Sequence, residues 1–458
     1  MHKSFFNEFD EISAKQWKQK IQFELEGSPY QDLIFNSLDG IDIKPFYTKE
    51  DYKSDIELNT STRNSLICDQ IYVVSEEKSN QHAQEIIADG AESIWFIISS
   101  ESINLELLFN ELPSELPIFL KFEFLSEKIS LSLEKLKNRF KNIHLQIDNI
   151  GHLARYGNWH TSLQNDFSVL KKLLENSANF NTCLAVDSTL YQNAGATIPQ
   201  QLAYTLAHAN EYFNFIDQNL SKDQAKSIQI QVLIASGSNF FFEIAKIKTL
   251  RRLFSSLATI YNFKKEIVIL AQPSKRNKTL YASNFNLLRC ATENMSAIIG
   301  GCDAIYNIPF DSIYRKSNKT SKQIARKQLQ LLKANLNDAK NASNGAYYIE
   351  NITEQLAEKS LRIFTSIEKS GGFLVQLKAG SIQKKIQESA AIEQTKFDNK
   401  ELTILGGNVA IPNNESLKND IQLYPFLKKN PRKTLLAPIL ERRLSEKLEQ
   451  NRLQKEKL

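Results

Sequence analysis

The sequence lacks any run approaching the roughly 20 consecutive apolar residues that a membrane-spanning helix requires. Its opening, MHKSFFNEFDEISAKQWKQK, puts acidic residues where a secretory leader needs an apolar centre. A cytoplasmic chain with no membrane partner is expected. Cysteine is also scarce: Cys68, Cys183, Cys290 and Cys302 are far apart and form no CxxC pair. Buried reduced thiols are therefore expected, not a disulfide framework or a zinc site. The six histidines do not cluster at ligand spacing, since His144, His152 and His160 fall eight apart and not at i, i+4. No metal site is expected. The formal charge of +5 is not spread along the body, because residues 428–458 hold ten Lys/Arg against four Glu and the rest of the chain is close to neutral. With no basic stripe interleaved with aromatics, nucleic acid is not an expected partner, and the basic 428–458 tail reads as a solvated terminal helix.

What is present is ordinary globular composition, 42% hydrophobic and 24% charged. Eight short β-branched or aromatic runs recur: IYVVS (71–75), SIWFIIS (93–99), PIFLKFEF (117–124), NIHLQID (142–148), FNTCLAVD (180–187), IQIQVLIA (228–235), EIVILA (266–271) and GGCDAIYN (300–307). Most are apolar on both alternating faces, as parallel strands covered by helices are. Helical patterns separate them, as in FFFEIAKIKTLRRLF, where Ile244, Ile247, Leu250 and Phe254 recur every three or four residues. Eight such units predict an α/β fold, a (β/α)8 TIM-type barrel. A doubly wound sheet is the alternative, but no GxGxxG follows the first run. The expected organisation is an arm and linker over 1–65, a barrel over 66–310, a helical section over 311–427 that completes the barrel domain, and the tail.

The stretch CLAVDSTLYQNAGATIPQQLAYTLAHANEYF raises the question of chemistry. It has the form of a strand leading into an amphipathic helix beside a substrate site, yet it puts an aliphatic Leu190 where a proton donor would be useful. Seven pieces in order carry a resemblance: Trp17 with DGIDIKPFYTKED; AGATIPQQLAYTLAHANEYF; SNFFFEIAKIKTLRRLF; NFNLLRCATENMSAIIGGCDAIYN; QIARKQLQLL; NGAYYIENITEQLAEKSLRIFTSIEKSGGF; and GSIQKKIQESAAIEQTKFDNKELTILGGN. Together they cover most of residues 15–445 and resemble the methylmalonyl-CoA mutases and related acyl-CoA mutases. Such enzymes pair a barrel that threads acyl-CoA along its axis with a flavodoxin-like domain that binds cobalamin, and the cofactor supplies the radical.

The resemblance implies degenerate chemistry here. Where catalytic members resemble SGYHMQEAGA, with a Tyr and a His facing the thioester, this chain has Thr189 and Leu190, and leucine neither donates nor accepts a hydrogen bond. Where they resemble HSQTSGWSL, it has Leu270 for the His and Lys275 for the Gly, while Gln272 and Asn286 persist. A CoA-binding loop resembling PxTRGxYPxMYRG is missing after Asp51, and the cobalamin motif DxHxxG and its flavodoxin-like domain are not found. These departures imply a non-catalytic small subunit of a heterodimeric mutase, a pseudoenzyme that binds no cofactor and supports a large catalytic subunit carrying adenosylcobalamin, as a 1:1 pair. The axis is expected to be occluded, with Leu190, Tyr191, Leu270 and Tyr306 on the strands that line it. The aromatic arm, with Phe5, Phe6, Phe9, Trp17, Phe23 and Tyr30, is expected to wrap that partner. Two other readings stand beside it. One is a stand-alone, cobalamin-free barrel enzyme acting on another acyl-CoA or small acid, with Asp187, Tyr191, Gln272 and Asp303 as its polar candidates. The other is an assembly module that contacts a cofactor-loading chaperone through the basic tail.

Overall fold

The computed structural model describes residues 12–51, 64–136, 138–176, 180–336, 342–412, 414–427 and 432–457. In the arm, β1 (Phe35–Asn36) and β2 (Asp42–Ile43) form an antiparallel hairpin. Eight parallel strands follow: β3 (Leu66–Val73), β4 (Ser93–Ile98), β5 (Ile118–Phe122), β6 (Ile143–Leu145), β7 (Leu184–Asp187), β8 (Ile230–Ser236), β9 (Val268–Pro273) and β10 (Ala304–Tyr306). Their spatial order runs β6-β5-β4-β3-β10-β9-β8-β7. The remaining seam, β6 to β7, is joined by a parallel bridge between His144 and Thr182 and by the Leu145 N–H donating to the Thr182 carbonyl at 2.8 Å. The protein is therefore a nearly closed (β/α)8 barrel, and each apolar run of the sequence supplies one strand. The first strand begins five residues earlier than its run and ends at Val73, where Val74 projects into solvent and Ser75 already stands at the cap of helix Glu76–Ala88.

Side chains alternate along the strands, so every second one points into the axis. Cys68, Trp95, Phe119, Ala185, Leu233, Val268, Leu270 and Ala304 fill it, with Tyr306 packed against them and His144 stacked on Phe119 at 4.7 Å. The axis is thus plugged through Leu270 and Tyr306, as expected, but not through Leu190 or Tyr191. Those two lie on a short helix, Thr189–Ala194, which leaves the strand at Asp187. Leu190 is 1% exposed in the core beneath the helices, and the Tyr191 hydroxyl lies 3.0 Å from Nδ1 of His208. The chain turns out of this helix at Gly195 (φ +95°), where a Cβ would stand 2.7 Å from the Ala390 Cβ and from the Arg276 guanidinium. The AGA motif is therefore a packing requirement as well as a turn. Thr197 and Gln200 then form a capping box that starts helix Ile198–Asn219.

Helices Lys319–Leu336, Tyr347–Lys369 and Ser381–Asp398 form the section after the barrel. Tyr347–Lys369 packs across Ile198–Asn219 and Phe240–Tyr261. The tail departs from the expected solvated helix. Its chain crosses the barrel with Leu436, Ile439, Leu444 and Leu453 buried, and Glu449 accepts from the Leu280 N–H at 2.8 Å. Apolar residues at those positions and the Arg443 guanidinium, which donates to the Lys278 carbonyl at 3.1 Å and pairs with Glu449 at 2.5 Å, hold it there, while Arg442, Lys447 and Lys455 stay exposed. Among the described residues no helix is long and apolar enough to cross a membrane, and no cluster of three metal-ligating groups occurs.

Candidate functional site

Barrel chemistry gathers at the C-terminal ends of the strands, and there the structure holds a cavity of about 660 Å³. Its floor is the plugged axis. Above the floor lies a polar tier, one inward step further along the strands: Gln70 on β3, Lys121 on β5, Gln146 just after β6, Asp187 at the end of β7 and Gln272 on β9. Strand alternation places them together, since Lys121 follows Phe119 and Gln146 follows His144 by two residues.

The tier is organised around Asp187. Its carboxylate lies 3.2 Å from Lys121 and 3.2 Å from Arg155, and it accepts from the Thr189 hydroxyl. Its own N–H donates to Asp148 at 2.8 Å. Burial alone would raise the Asp187 carboxyl, but Lys121 and Arg155 outweigh it and hold the group well below the usual carboxylate range. Asp148 in turn accepts from the Gly151 N–H and the Tyr212 hydroxyl, each at 2.8 Å, and lies 2.9 Å from His208. It thereby caps helix Asn149–Tyr156, which delivers Arg155 and His152 to the rim. Glu441, from the tail, closes the ring by pairing with Arg155 at 2.7 Å and accepting from the Asn193 amide at 2.9 Å. Burial opposes its ionisation, and Arg155 with Lys275 overcomes that to keep its carboxyl low. His152 stacks on His160 at 3.6 Å, and burial, aided by that neighbour, pushes it down to about 4. Burial lowers His160 as well.

Of the residues singled out from sequence, Asp187, Thr189, Gln272 and Lys275 meet at this cavity, with Leu270 in the floor beneath. Four others do not form part of it. Leu190 and Tyr191 are turned into the helix-covered core. Asn286 braces a loop, bonding both the N–H and the carbonyl of Thr279 and the carbonyl of Phe310. Asp303 precedes β10 at the opposite end of the barrel, where it pairs with Arg251 at 2.7 Å and accepts from the Ile269 N–H. In the arm, Trp17 is 44% exposed, Phe23 is 85% exposed and Tyr30 is half-buried, while Phe5, Phe6 and Phe9 lie outside the described residues, as do 52–63, where the CoA-binding loop would fall. Sequence reasoning missed Lys121, Gln146, Asp148, Arg155 and Glu441. The first two carried a signal in the strand alternation; Arg155 and Glu441 are 286 residues apart and carried none.

Asp187, Lys121, Arg155 and Glu441 pair with one another at this cavity, and the aliphatic Leu270 stands in the floor beneath them.

Comparison with known proteins agrees with the motifs. The family model described as methylmalonyl-CoA mutase matches residues 113–455. The methylmalonyl-CoA mutase small subunit of Porphyromonas gingivalis is 28% identical over 424 residues, covering 84% of this chain and 67% of that one. The small subunit of Propionibacterium freudenreichii subsp. shermanii is 24% identical, covering 81% of this chain and 64% of its own length. The large subunit of Porphyromonas gingivalis matches less of the chain, at 27% identity over 51% of this chain and 33% of its own. On the extent of the family match, the chain belongs to the methylmalonyl-CoA mutase family.

Proposed function

We propose that this chain is the non-catalytic small subunit of a heterodimeric, adenosylcobalamin-dependent methylmalonyl-CoA mutase, the enzyme that interconverts methylmalonyl-CoA and succinyl-CoA. It pairs 1:1 with a large catalytic subunit and contributes assembly and stability. The observation that carries this reading is the filled axis: Trp95, Phe119, Leu233, Leu270 and Tyr306 occupy the line along which an acyl-CoA would thread. Filling that channel with apolar side chains gains close packing and buried area, at roughly 25 cal/mol per Å². The mouth above offers Asp187 already neutralised by Lys121 and Arg155. Adenosylcobalamin is assigned to the partner, where it supplies the radical that starts the rearrangement, and no residue of this chain is assigned to hold it.

Co-expression with an affinity-tagged large subunit from the same cell tests the reading. A 1:1 complex is expected, with turnover dependent on the large subunit. In that complex Asp187→Ala or Gln272→Ala should change turnover less than about threefold, which corresponds to under roughly 0.7 kcal/mol of the barrier. Turnover of methylmalonyl-CoA by this chain alone, or a hundredfold loss in either variant of an intact complex, would show that this barrel does chemistry.

A further inference from the structure

We propose that the mouth cavity is a binding site for a small uncharged polyhydroxylated ligand of sugar or polyol type. Of the charged groups facing the cavity, Lys121 and Arg155 share Asp187 and Arg155 also pairs with Glu441, while the exposed Lys275 makes no ion pair among the described residues. Asp148 is occupied by Gly151, Tyr212 and the Asp187 N–H.

The buried side-chain atoms left unsatisfied at the cavity are all neutral. The Trp95 indole N–H, both ends of the Gln146 carboxamide and the Asn149 side-chain oxygen have no hydrogen-bond partner, although these residues are only 4%, 5% and 1% exposed. All three line the same cavity, which Gln70 and Gln272 also border. Leaving a buried polar group unpaired is costly, so a cavity lined by residues that carry unpaired neutral donors and acceptors is complementary to a ligand that supplies both. Hydroxyl groups do, since each donates once and accepts twice.

The walls fit the same class. Trp95, Tyr306, Phe122 and Tyr156 border the cavity and offer the flat apolar faces on which the C–H faces of a polyol or pyranose rest. A dianionic acid fits less well, because Lys121 and Arg155 already hold carboxylates and Lys275 alone would face its two charges, so that inserting it would break the Asp187 pairings. A cavity of about 660 Å³ exceeds the needs of one or two waters and suits a ligand of monosaccharide size. This site is independent of the assembly reading: a barrel can lose the family's chemistry and still hold a ligand at its mouth.

Saturation-transfer NMR and calorimetry on the full chain provide the test, with xylitol and D-glucose as neutral probes and glutarate as a charged probe of similar size. Both neutral probes are expected to bind below about 10 mM, more tightly than glutarate. Gln146→Leu should weaken them about tenfold, with circular dichroism and Tm confirming the fold. Should Gln146→Leu fail to fold, Gln272→Leu takes its place, with a smaller loss of at least threefold expected. Absence of binding by both neutral probes at that concentration, tighter binding of glutarate, or unchanged affinity in the folded variant overturns the proposal. Co-purification with a large subunit is read separately, so failure here leaves the assembly reading standing, and the reverse also holds.

Discussion

Glu441 and Arg155 meet at 2.7 Å although 286 residues separate them, and this contact fastens the tail across the mouth of the barrel. Around it the tail makes backbone bonds to the barrel at regular intervals: Leu436 N–H to the Gly157 carbonyl, Ile439 N–H to Ala154, Arg442 N–H to Asn193 and Leu444 N–H to Arg276. The Glu441 carboxylate links this strap to both the helix after β6 and the helix after β7.

Removing it should therefore loosen the strap and leave Arg155 with a single partner. Glu441→Ala is expected to destabilise the chain by about 1–3 kcal/mol, because a half-buried cation loses one of two carboxylates and the Asn193 amide loses its acceptor. Urea unfolding reads the loss. Limited proteolysis locates it, with new cleavage expected within 432–445. Unchanged stability would mean that the backbone bonds alone hold the strap.

A second expectation concerns pH. Asp39, in the arm, accepts from the Ile198 N–H at 2.6 Å and thereby helps cap the long helix after β7. Burial, with smaller contributions from Glu243 and Glu393, pushes its carboxyl up to about 6 in spite of that bond. The folded state then binds a proton more readily than the unfolded chain, so this group's contribution is fully present below about pH 4 and is lost as pH rises towards 6. Asp39→Asn keeps a carbonyl acceptor for Ile198 and removes the titration. It should raise stability at pH 7.5 by an amount on the order of 1–3 kcal/mol, with the gain vanishing near pH 4. A gain of equal size at both pH values would sink this account.

The architecture was legible because its signal is local. Each strand run is apolar on both faces and is followed by a helical period, and that pattern survives whatever the barrel is used for. The site was less so. Leu190 and Tyr191 follow β7 directly, which in the sequence suggests strand residues, but the chain bends into a helix at Ser188 and turns both side chains away from the axis. Asp303 is a polar candidate inside an apolar run, yet it stands before its strand, at the end of the barrel opposite the cavity. Lys121 and Gln146 could have been found by following Phe119 and His144 two residues onward. The tail could not, because its role rests on Glu441 finding Arg155, and no periodicity encodes a contact of that range.

The position of Leu190 yields a third prediction. If the loss of the family's histidine were a single reversible step, Leu190→His would restore a donor to the site. Here it would instead bury an imidazole in the core under the helices, where Leu190 is 1% exposed. The expected result is a loss of about 2–4 kcal/mol in urea unfolding with no gain in acyl-CoA binding. Appearance of acyl-CoA binding at micromolar affinity would show that the short helix Thr189–Ala194 can reopen into the axis.

The last prediction separates two roles within the arm. Part of it is folded onto its own barrel: Ile41 is fully buried, Gln355 brackets Asp42 with two hydrogen bonds at 3.0 and 3.1 Å, and Asp39 reaches helix Ile198–Asn219. The other part faces outward. Helix Ala14–Glu24 has no buried residue, and Trp17, Phe23 and Phe35 expose large apolar surfaces. Exposed aromatics close together in sequence are the composition of an interface core that lacks its partner. The double variant Trp17→Ala/Phe23→Ala should change the stability of the isolated chain by less than about 0.5 kcal/mol, since neither side chain is buried. It should weaken co-purification with a large subunit at least tenfold. Ile41→Ala should do the reverse, costing the isolated chain about 2–4 kcal/mol through the cavity it opens while leaving the affinity of the folded chain unchanged. A large subunit that binds the double variant as tightly as the parent would place the contact on the barrel helices, and the exposed arm would then need another partner.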